Sequence, residues 1–138
     1  MKKTSELIIL FIIGGLVYNF LELTWRGYSH WTMSILGGLS FTIIGLINEV
    51  VDRKMLIQKQ MFLGCIVITS VELLCGMICN YWLKMNIWDY SDLPFNLYGQ
   101  ICLYASILWY FLSLFAIWLD DICMLILFKR PFPKYRIK

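Results

Sequence analysis

Glu72 is the only charged residue between Lys59 and Lys84, thirteen positions from the first and twelve from the second. The run around it is apolar, which sets the carboxyl near the middle of a membrane-spanning segment. An ionisable side chain at that depth points to a cation site, a proton relay or another functional group. The competing role is packing, with the carboxyl hydrogen-bonded to a neighbouring helix. The sequence favours neither. Cys75 and Cys79 follow Glu72 at i+3 and i+7, so all three share one helix face. Two thiolates and a carboxylate suit a soft metal. No His lies near them in sequence and no second Cys pair completes a site, and cysteine also packs as a small apolar residue. No metal and no cofactor are therefore expected.

A second set of polar residues gathers between the apolar runs. Glu22 and Arg26 stand at i, i+4 and can pair if one helix carries both. Tyr28 and His30 follow in "WRGYSH"; Trp88, Asp89, Tyr90 and Asn96 lie in "NIWDYSDLPFNLYGQ". These residues offer charges of both signs and aromatic walls, which suits a polar ligand. Solvated loop ends with Trp25 and Trp31 as interface anchors are the plainer alternative. His30 has no nucleophile at a recognisable spacing, so a hydrolase triad is unsupported and no catalytic residue is assigned. No phosphate-cradling loop is present, so the chain alone does not hydrolyse ATP.

Composition names the solvent of the elements that must position these groups. Of 138 residues, 60% are hydrophobic and 15% charged, against roughly 45–50% and about 25% in soluble domains. Four long stretches are uncharged or nearly so, and about 20 apolar residues span a bilayer as a helix. The expectation is a single all-α domain, a membrane-embedded four-helix bundle. Its helices run over about residues 4–24, 31–51, 57–83 and 95–119, with a basic tail over 120–138. Pro94 suits the first turn of helix four, with Asp92 as its cap. Asp120 and Asp121 are expected at the interface, with "ICMLILF" lying along the membrane or continuing out of it. Two aspartates buried by a deeper helix are disfavoured, at about 2.5–3.5 kcal/mol each at the bilayer centre.

Ten of the twelve Lys and Arg fall on one side of this path; Arg26 and Lys84 fall on the other. Basic residues flanking spans stay in the cytoplasm, so both termini are expected inside an inner membrane. Trp25, Trp31, Trp82 and Trp88 then form an outer aromatic belt. The first apolar run lacks a small-residue cleavage site and reads as an uncleaved helix. The five cysteines lie in or beside apolar segments, which gives no extracellular disulfide framework. Five basic residues in the last ten suit anionic lipid; nucleic acid is not expected as a partner. Shifting the chain by 62 residues aligns Gly14 with Gly76, Tyr28-Ser29 with Tyr90-Ser91 and Gly37 with Gly99. Such an echo reads either as a parallel repeat or as coincidence.

Two stretches, "ELTWRGYSHWTMSILGGLSF" and "WDYSDLPFNLYGQICLYASILW", resemble the small bacterial membrane-protein family labelled "putative ABC-transporter type IV". The matching positions are Arg26, Gly27, Tyr28, Ser29 and His30, then Trp88, Asp89, Tyr90, Ser91, Pro94, Asn96 and Gly99. The resemblance implies a multi-spanning inner-membrane protein with a permease-like role. So short a chain would need an oligomer or another membrane subunit to form a path, and a separate ATPase for energy. The leading expectation is a transporter-type or small-molecule-binding subunit using Glu22, Arg26, Tyr28, His30, Glu72, Trp88, Asp89, Tyr90 and Asn96. The alternatives are a scaffold whose Gly-rich faces make oligomer contacts, and an intramembrane enzyme on lipid-linked substrates in which His30 and the carboxylates converge.

Overall fold

The computed structural model describes residues 2–138. Four helices form the chain: α1 (Thr4–Arg26), α2 (Trp31–Val50), α3 (Ile57–Gly76) and α4 (Leu103–Phe128). A π-helical stretch, Met77–Trp82, extends α3. With that extension counted, all four are long and apolar enough to cross a membrane. Among the described residues the one sheet is a hairpin of β1 (Asn96–Leu97) and β2 (Ile101–Cys102).

Small residues set how the helices meet. Side chains or carbonyls of the facing helix occupy the space a Cβ would need at Gly14, Gly15, Gly37 and Gly38, where α1 and α2 interlock. A Cβ on Gly38 would stand 2.6 Å from the Phe11 carbonyl oxygen. Gly45, Gly64 and Gly76 likewise face Asp120, Ser113 and Gln100. Glycine lets helix backbones approach closely in lipid. These contacts all lie inside one copy of the chain, so the Gly-rich faces expected to make oligomer contacts are already occupied.

The α1–α2 pair and the α3–α4 pair are joined mainly through α2. The backbones of α1 and α4 keep apart, but their side chains meet at the end of the bundle that carries both termini. There Leu10 packs with Cys123 and Met124, Lys2 Nζ lies 3.3 Å from Asp120, and Arg130 reaches Glu6 at 3.0 Å.

Helix α4 departs from the expected limits at both ends. It starts at Leu103 rather than near residue 95, because Phe95–Cys102 is taken by the hairpin. Neither Pro94 nor Asp92 starts it; Cys102 is its N-cap, accepting from Ala105 N at 3.4 Å. Residues 120–128 are the last turns of α4, as a helix continuing past Leu119 would have them, and form no separate helix. Asp120 and Asp121 are buried within the bundle, at the end that also holds Lys2 and Arg53. Both carboxylates are paired. Asp120 takes Lys2 and, at 3.0 Å, Asn48 Nδ2. Asp121 takes Arg53 and, at 2.7 Å, the Tyr135 hydroxyl. The tail folds back across this end, with Ile57 N donating to Arg136 O at 2.7 Å.

The 62-residue echo does not hold at two of its aligned pairs. Gly37 lies within α2 against Tyr18, but Gly99 lies in the hairpin turn at φ +71°. Tyr28 is exposed, whereas Tyr90 points into the bundle.

Candidate functional site

The connection from α3 to α4 folds inward, and this builds the site. In the π-helical stretch Asn80 turns inward, where its Nδ2 donates to Gln100 Oε1 at 2.9 Å. Its Oδ1 accepts from Ile87 N at 2.7 Å. Trp88 is buried with Met33, Leu36 and Val71, and its Nε1 donates to Gln100 O at 2.9 Å. Trp88 is therefore a core residue and not an interface anchor; of the four expected in the belt, Trp25, Trp31 and Trp82 are exposed. Tyr90 N donates to Gly99 O at 2.7 Å, which aims the Tyr90 ring at α3.

Glu72 receives that ring. Its side chain is buried, at 2% exposure. Oε2 accepts from the Tyr90 hydroxyl at 3.0 Å and Oε1 from Trp109 Nε1 at 3.1 Å. No ion pair reaches it among the described residues, so both partners are neutral. Tyr18 of α1 stands within electrostatic reach of Glu72, Glu22 and Tyr90 and makes an edge-on contact with Trp109, centroids 6.3 Å apart.

Trp109 separates Glu72 from a cleft. Where α1 and α4 part company, a cavity of about 320 Å³ opens between Tyr18, Leu21, Glu22 and Trp25 on one side and Leu108, Trp109 and Leu112 on the other. A narrower apolar space of about 60 Å³ shares Tyr18, Leu21, Trp109 and Leu112 with it and continues towards Gly14, Phe41 and Leu119. At the mouth, Arg26 Nε lies 2.6 Å from Glu22 Oε2, so the i, i+4 pair forms. The guanidinium sits 4.7 Å above the Tyr28 ring.

The remaining expected residues serve the loops. His30 caps α2, its Nδ1 accepting from Thr32 N at 3.3 Å. Asp89 is exposed, and its Oδ1 accepts from Ser91 N at 2.8 Å; these hydrogen bonds with Ser91 hold its carboxyl below the usual range. Asn96 Oδ1 accepts from Gly99 N at 3.0 Å and its Nδ2 donates to Leu93 O at 2.8 Å. Among the described residues, no hydrogen bond or ion pair links Asp89 or His30 to Glu22. The structure thus gathers Glu22, Arg26, Glu72 and Tyr90, with Tyr28 beneath the arginine and Trp88 holding the loop. Trp109 and Tyr18 were missed. A lone buried carboxyl implies donors, but nothing in an apolar helix marks which tryptophan supplies one.

No group of three or more His, Cys, Asp or Glu suited to a metal ion exists among the described residues. A family model described as "Putative ABC-transporter type IV" matches residues 9–135, and the chain belongs to that family. No curated protein and no solved structure matches the chain. With four apolar helices, it is a multi-pass membrane protein.

Proposed function

We propose, starting from that membership, that this chain is a ligand-binding membrane subunit of a transport system. In this reading the cleft between α1 and α4 receives a small molecule and Glu72 reads its polar group. The observation that carries it is the setting of Glu72. The carboxyl is buried with two neutral donors and no side-chain cation, and one donor, Trp109, is also a wall of the cleft. Taking a carboxyl out of water without a countercharge costs several kcal/mol, of order. A group kept under those conditions suits a ligand that completes it.

The rest of the reading follows from charge and size. The basic residues place the termini in the cytoplasm, which turns the cleft mouth towards the outer leaflet of an inner membrane. Four helices with an interlocked interior leave little room for a path, so a second copy or another subunit supplies the rest. The sequence carries no nucleotide-binding loop, so a separate ATPase provides energy.

The test is Glu72→Gln, which keeps shape and can keep both hydrogen bonds. The variant should fold with near wild-type thermal stability, while ligand-dependent thermal shift or uptake falls at least about tenfold, as loss of a charge-assisted contact would give. A variant that matches wild type for every ligand that shifts the parent protein sinks the proposal.

A further inference from the structure

We infer that the ligand is an amphiphile with an aliphatic chain and a cationic head, admitted sideways from the lipid between α1 and α4. This rests on the reading of Glu72 as a ligand group. Shape comes first. The two helices are stapled at the end bearing the termini by Lys2–Asp120 and Arg130–Glu6, and the cavity opens between them further along, at residues 18–25 and 108–112. Both helices are long and apolar enough to cross a membrane, so a wedge opening between them faces lipid.

Lining and length fit a chain. Below the mouth the walls are apolar and run from Leu108 to Leu119 along α4, eleven steps of the helix, or about 16 Å. Trp25 flanks the mouth and is 80% exposed, as an interface residue would be. A molecule with its tail in the narrower apolar space therefore keeps its head in the wider cavity, against Tyr18, Glu22 and Trp109.

Charge selects the head. Two acids serve this cavity: Glu22 lines it and Glu72 lies behind Trp109, and among the described residues one guanidinium, Arg26, pairs with them, at Glu22. Arg26 is held by Glu22 and stacked over Tyr28, which leaves the Glu72 carboxyl without a counter-ion. The aromatic faces of Tyr18, Trp25 and Trp109 add attraction for a cation, which a desolvated setting strengthens. An anionic head would meet excess negative charge, and a neutral one would leave Glu72 as it is. Trp109 couples the two parts: a head that moves its ring breaks the 3.1 Å bond to Glu72 and offers its own charge in exchange.

The experiment uses the full chain in nanodiscs of zwitterionic lipid and three photoactivatable dodecyl probes, a trimethylammonium, an alcohol and a sulfate. The trimethylammonium should label α1 around residues 18–25 and α4 around 108–112, at least tenfold above the other two. Glu72→Gln should erase that preference. Leu108→Trp, which blocks the mouth and leaves both acids in place, should abolish labelling by all three. Cleft labelling that is equal for the three heads overturns the cationic class, while the Glu72 reading survives if its variant still loses ligand response. Labelling spread over the lipid-facing surface, or unchanged in Leu108→Trp, overturns sideways admission.

Discussion

Tyr90 shows what one side chain can hold together. Its hydroxyl is the link between the inward-folded loop and Glu72 on α3. Burial first, and the nearby Glu72 carboxyl second, push its phenol above the ordinary value. The neutral donor is thus favoured in the folded protein. The sign follows: this contribution is complete below the unfolded phenol pKa of about 10 and is lost as pH rises through the higher folded value. Tyr90→Phe should cost about 1–3 kcal/mol, since it leaves a buried acceptor with one donor fewer. Alkaline unfolding should then fall less steeply above about pH 10 than in wild type. Chemical unfolding across pH measures both, and an unchanged alkaline limb would remove Tyr90 from the account. Glu72 itself was legible as the lone charge in an apolar run. Its donors were not, because Tyr90 and Trp109 lie 18 and 37 residues away, and their meeting depends on how the loop folds.

At the scale of elements, the interlock of α1 and α2 makes a contrast between two glycines informative. Gly27 ends α1 at φ +81° with open space where a Cβ would stand, so Gly27→Ala should cost only about 1–2 kcal/mol of backbone conformation. Gly38 faces the Phe11 carbonyl, which cannot turn aside as a side chain could. Gly38→Val should therefore cost about 3 kcal/mol or more by overpacking and separate the two helices. Comparing both variants in one unfolding assay checks the ordering. The spans themselves were visible because charge is absent from them. The start of α4 was hidden by the same property, since Leu93 to Leu119 carries no charge to mark it. Only Asn96 and Gly99 signal the hairpin, and they sit inside that run.

The whole molecule is tied at one end and open at the other. Lys2, Asn48, Arg53, Arg130 and Tyr135 come from α2, the inter-helix turn and both termini to meet Glu6, Asp120 and Asp121. Lys2 and Asp120 side chains are each 1% exposed. Asp120→Ala should cost about 3–5 kcal/mol by leaving the lysine buried without its partner. The double variant Lys2→Met, Asp120→Leu should recover much of that loss, because an apolar pair of similar volume needs no countercharge. A double-mutant cycle in reconstituted membranes decides it. Sequence reading put these aspartates at the interface because the uncharged run before them already spans; their partners, as far as 118 residues away, could not be read from it.

That span of 118 residues also orders events at the ribosome. Lys2 is made before the four helices, yet the carboxylate that receives it belongs to α4, the last of them among the described residues. Until α4 is in place, α1 can lock against α2 through their glycines, but the second residue's ammonium has only water and headgroups for company. The bundle is thus sealed by a contact between a residue ahead of α1 and the last turns of α4, and α1 takes its final seat only after α4 has been made.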